Sequence, residues 1–195
     1  MLSSMAVSGL LAFKSKFGLQ VGMDLPDGVQ KVHRAPVPRT GGLAVFAGLI
    51  LGAGLLAFPG ELMPILAAAV PAWLCGSSED LTRKRSPLSR LLATMASGLL
   101  LATLAAVCIP RLDLPIDPFI PPVLWVLFTC FAVSGLSNAI NIIDGVNGLA
   151  SFAAAAMFAC LAFVAESCGD TANRNMALLG LGASCGFFLV NWPRG

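Results

Sequence analysis

Charged side chains leave six long stretches of this chain untouched, and those stretches limit what it can fold into. Residues 40–60, 62–78, 91–110, 118–143, 145–165 and 175–193 contain no Asp, Glu, Lys or Arg. Each is close to the roughly 20 residues that an α-helix needs to cross the hydrocarbon core at about 1.5 Å per residue. Inside a bilayer the backbone must satisfy its own hydrogen bonds, so each stretch reads as helix and not strand. The second, interrupted by Pro64 and Pro71, is the weakest and is expected to be kinked. The expected fold is all-α: a polytopic membrane helical bundle with about six transmembrane helices, forming a single membrane domain over residues 1–195.

Composition agrees. The chain is 57% hydrophobic and 11% charged, whereas soluble domains carry roughly 25% charged residues. A soluble fold has to cover its surface with polar groups that this chain lacks. A net charge of +2, with no basic run interleaved with aromatics, excludes nucleic acid as a partner. Of the six cysteines, Cys75, Cys108, Cys130, Cys160 and Cys185 lie in apolar stretches, where Cys acts as a small hydrophobe. No CxxC spacing occurs, so neither a zinc site nor a disulfide framework is expected. The apolar segment 2–13 is short and lacks a basic leader, which makes it a poor signal peptide. It reads as an interfacial segment or the remnant of a first membrane helix.

Six spans separate seven polar segments that must alternate between the two sides. One side collects Lys14, Lys16, Lys31, Arg34, Arg39, Arg83, Lys84, Arg85, Arg90 and Arg194; the other holds Arg111 and Arg174. Ten against two is a strong asymmetry, and it assigns the basic side to the cytoplasm.

Four polar motifs fall on that side. The first runs from His33 and Arg34 through Pro36, Val37, Pro38 and Arg39 to Gly41 and Gly42. Its prolines hold an extended backbone, and His33, Arg34 and Arg39 suit phosphate binding, although a basic juxtamembrane loop obeying topology would look the same. The second is the acidic pair Glu79–Asp80, followed by Arg83, Lys84, Arg85 and the Ser86–Pro87 turn. Adjacent carboxylates near cations suit magnesium–phosphate chemistry, and equally a solvated helix stop. The third motif runs from Asn138 through Asn141 and Asp144 to Gly145, Asn147 and Gly148. On a continuous helix Asn138, Asn141 and Asp144 share a sector of about 120°. Two amides and a carboxylate ending an apolar helix are costly unless they face a polar cavity or pack between helices. The fourth is Asn191-Trp192-Pro193-Arg194-Gly195, with Trp192 as an interfacial anchor.

The HxxPxPxxGG loop, the acidic pair with its Ser-Pro turn, NxxNxxDGxxGLA and NWPRG, in this order, resemble the polyprenyl-phosphate N-acetylhexosamine-1-phosphate transferases. That family, within glycosyltransferase family 4, includes undecaprenyl-phosphate N-acetylglucosamine-1-phosphate transferase and phospho-N-acetylmuramoyl-pentapeptide transferase. The resemblance runs from about residue 18 to residue 195. It implies transfer of a sugar-1-phosphate from a UDP-amino-sugar to a polyprenyl phosphate, with release of UMP and with Mg²⁺ as cofactor. It also implies a bacterial cytoplasmic (inner) membrane protein serving cell-envelope biosynthesis. By motif, Glu79, Asp80 and Asp144 are the catalytic candidates, with Asp144 and Asp80 as metal ligands. Asn138, Asn141, His33, Arg34 and Arg39 are the substrate-binding candidates. A carboxylate at this face could take the lipid phosphate's proton, and a cation would offset the repulsion between two phosphates.

Three departures accompany the resemblance. Glu79 stands where the family has Asp, which moves the carboxylate by about 1.5 Å. Asn147 stands where many relatives have a second Asp. The family also continues past its NWPRG-like segment into a Gly-Asp motif that binds Mg²⁺ and a His-rich loop that helps read the nucleotide sugar. By that measure the expected domain is partial, truncated at its C-terminus and incomplete relative to the family. The alternative is a catalytically inactive membrane protein that binds polyprenyl phosphate or a partner transferase. A solute transporter would need polar groups near the midplane, whereas these cluster at one surface.

Overall fold

The computed structural model describes residues 23–24, 37–38, 41–55, 60, 62–82, 86–146 and 148–192. Segment 2–13 lies outside them, as do His33, Arg34, Arg39 and Asn147. Six α-helices are found among the described residues: α1 (Gly41–Leu55), α2 (Leu62–Thr82), α3 (Pro87–Leu104), α4 (Pro122–Ile143), α5 (Leu149–Ser167) and α6 (Thr171–Asn191). A 3₁₀ turn, Asp117–Phe119, precedes α4. Each uncharged stretch therefore carries one helix. Four of them, α2 to α5, are long and apolar enough to cross a membrane, and the chain is a multi-pass membrane protein with a helical fold. The helix α1 is apolar but has only 15 residues. One feature was not expected: β1 (Met23–Asp24) pairs antiparallel with β2 (Val37–Pro38), on either side of residues 25–36.

Helix ends shift from the uncharged windows because polar residues cap them. The helix α3 starts at Pro87, ahead of the window that opens at residue 91, since Ser86 is its N-cap. The Ser86 Oγ accepts the Ser89 N–H at 3.2 Å, and Pro87 takes the first position, where no N–H is needed. The α5–α6 connection packs two caps into three residues. Gly169 adopts φ +70°, its N–H donates to the Glu166 carbonyl at 3.0 Å, and the Asp170 N–H donates to the Ala165 carbonyl at 2.8 Å. This is the Schellman pairing. Asp170 then caps α6, accepting the Asn173 N–H at 3.0 Å, and Arg174 closes on Glu166 at 2.7 Å.

Contacts divide the chain into two compact units. One holds Pro59–Ile140 and the other Met1–Phe58 with Asn141–Gly195. In the first, α2, α3 and most of α4 pack as successive antiparallel neighbours. Ala72 meets Ser97 and Glu79 meets Arg90, while Thr94 meets Ser134 and Gly98 meets Cys130. As one number rises its partner falls. Small and hydroxyl residues line the α3–α4 seam, as is usual where lipid supplies no hydrophobic contrast. A Cβ on Gly98 would sit 2.7 Å from the Cys130 Cα. Thr94 and Ser134 join hydroxyls at 2.8 Å, both buried.

The helix α2 runs unbroken through Pro71. Proline removes a ladder bond and crowds its own turn, and here the Ala72 N–H donates to the Ser97 Oγ of α3 at 3.1 Å. A neighbouring serine taking a backbone group near a membrane proline is the expected compensation.

In the second unit α5 and α6 form the antiparallel hairpin just described, and α6 also lies along α1. Gly41 abuts the Phe187 ring and Gly52 abuts Leu179, while Gly180 of α6 makes room for Phe158 of α5. These glycines let large side chains of the opposing helix approach the backbone closely.

Candidate functional site

The acidic pair ends α2. Glu79 and Asp80 sit in its last turn and are partly exposed. The helix continues four residues past the uncharged window, and hydroxyls bond back along it: Ser78 to the Cys75 carbonyl at 2.8 Å and Thr82 to the Ser78 carbonyl at 2.6 Å. The Ser86–Pro87 cap turns the chain into α3 and sets Arg90 against Glu79, with Nη2 to Oε1 at 3.5 Å. Thr94 lies opposite Ser134 and Gly98 opposite Cys130, each step being four residues. One further step toward the start of α3 puts Arg90 level with Asn138 of α4. Glu79, Asp80, Arg90 and Asn138 therefore gather at one end of the Pro59–Ile140 unit.

Asn138 and Asn141 occupy the last two turns of α4, about 60° apart around it. Both are exposed. Asp144 directly follows the last helical residue, Ile143, and with Gly145 begins the turn that leaves α4. Just downstream, Gly148 takes φ +80° as the N-cap of α5. The three polar groups are exposed rather than lining a closed cavity.

In the other unit the Asp144–Gly148 bend leads to aromatic side chains of α6. A Cβ on Gly148 would lie 3.0 Å from both Phe188 and Trp192. Phe188 stacks on Trp192, with ring centroids 5.8 Å apart and planes 7° from parallel, and Phe152 joins at 6.1 Å. Trp192 is 56% exposed, which suits an interfacial anchor. With Gly41 beside Phe187, the start of α1, this bend and the end of α6 share one end of the unit. His33, Arg34 and Arg39 lie outside the described residues, so the candidates with a described position are Glu79, Asp80 and Asn138 in one unit, and Asn141 and Asp144 in the other.

Two contributions escaped the reading of the sequence. Arg90 counted only as a topological charge, because a spacing of eleven from Glu79 has no meaning on one helix. It becomes a contact only once Ser86–Pro87 folds α3 back. Phe188 lies four residues before Trp192 on an apolar helix and gave no signal beyond packing, while Trp192 was legible as an interfacial anchor but not as a neighbour of Gly148.

Among the described residues no group of three His, Cys, Asp or Glu side chains is placed to hold a metal ion. A closed protein cage is therefore not formed by them. Exposed or partly exposed carboxylates at helix ends do fit magnesium, which typically takes one or two carboxylates and completes its shell with water and substrate phosphates.

Residues 62–195, more than half of the chain, match the family model described as Glycosyl transferase family 4. The match takes in the acidic pair, the Asn138–Gly148 segment and the end of α6, and begins downstream of the proline-rich loop. No curated protein and no solved structure matches the chain.

Proposed function

The chain belongs to glycosyl transferase family 4, and we propose that it transfers a sugar-1-phosphate from a UDP-N-acetylhexosamine to a polyprenyl phosphate at the cytoplasmic membrane face, releasing UMP. The observation that carries this reading is the family match across both acidic motifs, on a chain whose helices cross a membrane. The substrates fit the surroundings: one is a lipid whose phosphate sits at the surface, the other a water-soluble nucleotide. Exposed carboxylates and amides at helix ends suit a reaction that takes place where those two phases meet.

In the proposed reaction an oxygen of the lipid phosphate attacks the phosphorus that bears the sugar. A new P–O–P bond forms, and the bond from that phosphorus to the bridging oxygen of the UDP-sugar breaks. The bridging oxygen and its electron pair leave with UMP. Asp80 and Asp144 are assigned to the chemistry, as ligands for magnesium and as acceptors for the lipid phosphate's proton. Asn138 and Asn141 are assigned to phosphate oxygens as N–H donors, and His33, Arg34 and Arg39 to substrate phosphates as cations. When bound, magnesium supplies neutralisation of the pyrophosphate charge. Preorganised donors and charges are the main lever in phosphoryl transfer.

The test is exchange of labelled UMP into UDP-N-acetylglucosamine by membranes that contain the chain and polyprenyl phosphate. Magnesium-dependent exchange is expected, with a drop of roughly a hundredfold or more in Asp144→Asn. No exchange from a correctly inserted chain rejects catalysis. Photo-crosslinking of a polyprenyl-phosphate probe in the same membranes, without exchange, leaves the non-catalytic lipid-binding reading standing.

A further inference from the structure

The two carboxylates that end α2 do not face the same way. Cys75 and Glu79, one turn apart, both reach α3: the Cys75 Sγ–H donates to the Ser89 carbonyl at 3.6 Å, and Glu79 lies 3.5 Å from Arg90. Asp80 is the next residue and is rotated about 100° from Glu79 around the helix. Successive helical residues do not face each other, so the pair does not converge on a single ion. Arg90 is itself fixed at the base of its helix, where its backbone N–H donates to the Ser86 carbonyl at 3.4 Å. Its side chain and that of Glu79 are only 23% and 25% exposed, more sheltered than the exposed pairs that contribute little.

We propose that Glu79 and Arg90 form a clasp between α2 and α3 that fixes the direction of Asp80, making Glu79 and Arg90 positioning residues and leaving Asp80 as the member of the pair that meets substrate phosphate and magnesium. The proposal rests on the transferase reading. It also gives a reason for Glu at a position where Asp is the expected residue. An aspartate carboxylate would end about 1.5 Å short and would lie beyond the 4 Å or so over which an ion pair holds.

The experiment compares the full chain with Glu79→Gln, Arg90→Gln, the double variant, Arg90→Lys and Asp80→Asn. Two quantities are read: the thermal unfolding midpoint in detergent, and the magnesium concentration giving half-maximal UMP exchange. A clasp makes the two Gln variants equivalent. Each lowers the midpoint by about 2–4 °C, and the double variant falls no further than either, as partners in one contact should. Exchange drops roughly ten- to hundredfold in each, while half-saturating magnesium stays within about twofold, and Arg90→Lys keeps most of both. Asp80→Asn instead raises half-saturating magnesium about tenfold or more. Additive midpoint losses overturn the clasp. So does a tenfold rise in half-saturating magnesium for Glu79→Gln, which would make Glu79 a ligand. If the unaltered chain shows no exchange, the transferase reading fails, and the midpoint cycle alone decides whether the clasp exists.

Discussion

A single backbone angle at Gly148 links the acidic bend to the helix that follows it. Its φ of +80° is one that an L side chain reaches only at a cost of roughly 1–2 kcal/mol. A Cβ would also press on Phe188 and Trp192 at 3.0 Å, tighter than ordinary van der Waals contact. Gly148→Ala is therefore expected to destabilise the protein by at least about 1 kcal/mol, read as a fall in the detergent unfolding midpoint. Gly135 is the control. It lies within α4, where an added Cβ would meet nothing within 4 Å. Gly135→Ala should leave the midpoint unchanged or raise it slightly, alanine being the better helix former. If both alanines behave alike, the bend does not depend on the left-handed glycine.

Elements were legible in the sequence where charge marked their limits, and illegible where a cap or a contact moved them. The absence of charge located all six helices, because burying an ionised group in lipid is costly whatever the neighbours are. Charge did not locate the start of α3, which Ser86 and Pro87 pull forward, although it did locate the end of α4, where the uncharged stretch and the helix both stop at Ile143. The shift at α3 is a local hydrogen-bond and backbone effect, and it bears on the candidate site. Close packing was equally hidden: nothing in a run of small residues says that Gly98 meets the Cys130 backbone. Gly98→Val is expected to push α3 from α4 and cost about 1–3 kcal/mol, with loss of the buried Thr94–Ser134 hydroxyl pair. A midpoint equal to that of the unaltered chain would show that the seam has slack. At the far end of α5, Asp170 makes a pH prediction. The Asn173 backbone N–H, and then its side-chain amide, hold the Asp170 carboxyl below its ordinary value. A lowered folded-state pKa means that this cap contributes fully above the unfolded value of about 3.9 and is lost as pH falls through the folded one. The midpoint difference between the unaltered chain and Asp170→Ala should thus be largest near neutral pH and shrink below about pH 4. A difference that stays constant down to pH 2 would show that the carboxylate's charge is not what caps α6.

At the scale of the whole molecule, the site's logic depends on which loops share a side of the membrane. The two compact units each gather their motif residues at one end: Glu79, Asp80 and Asn138 in one, and the start of α1, the Asp144 bend and Trp192 in the other. Within each unit this clustering follows from antiparallel packing, which brings every second connection to the same end. The transferase reading requires more: both ends must face the cytoplasm, where a nucleotide sugar is found. Charge in the sequence supports that orientation: by the alternation of spans, ten of the twelve basic residues, those at 83–90 among them, fall on the side assigned to the cytoplasm, and Arg174 is one of the two on the other. Topology reporters fused after residues 85 and 146 should therefore signal a cytoplasmic location, and fusions after residues 113 and 169 the opposite side. Opposite signals at 85 and 146 would put Asp80 and Asp144 on different sides of the bilayer and remove any common reaction for them. All four signals inverted together would keep the residues on one side but turn them away from the nucleotide, and the proposed donor would have to be abandoned.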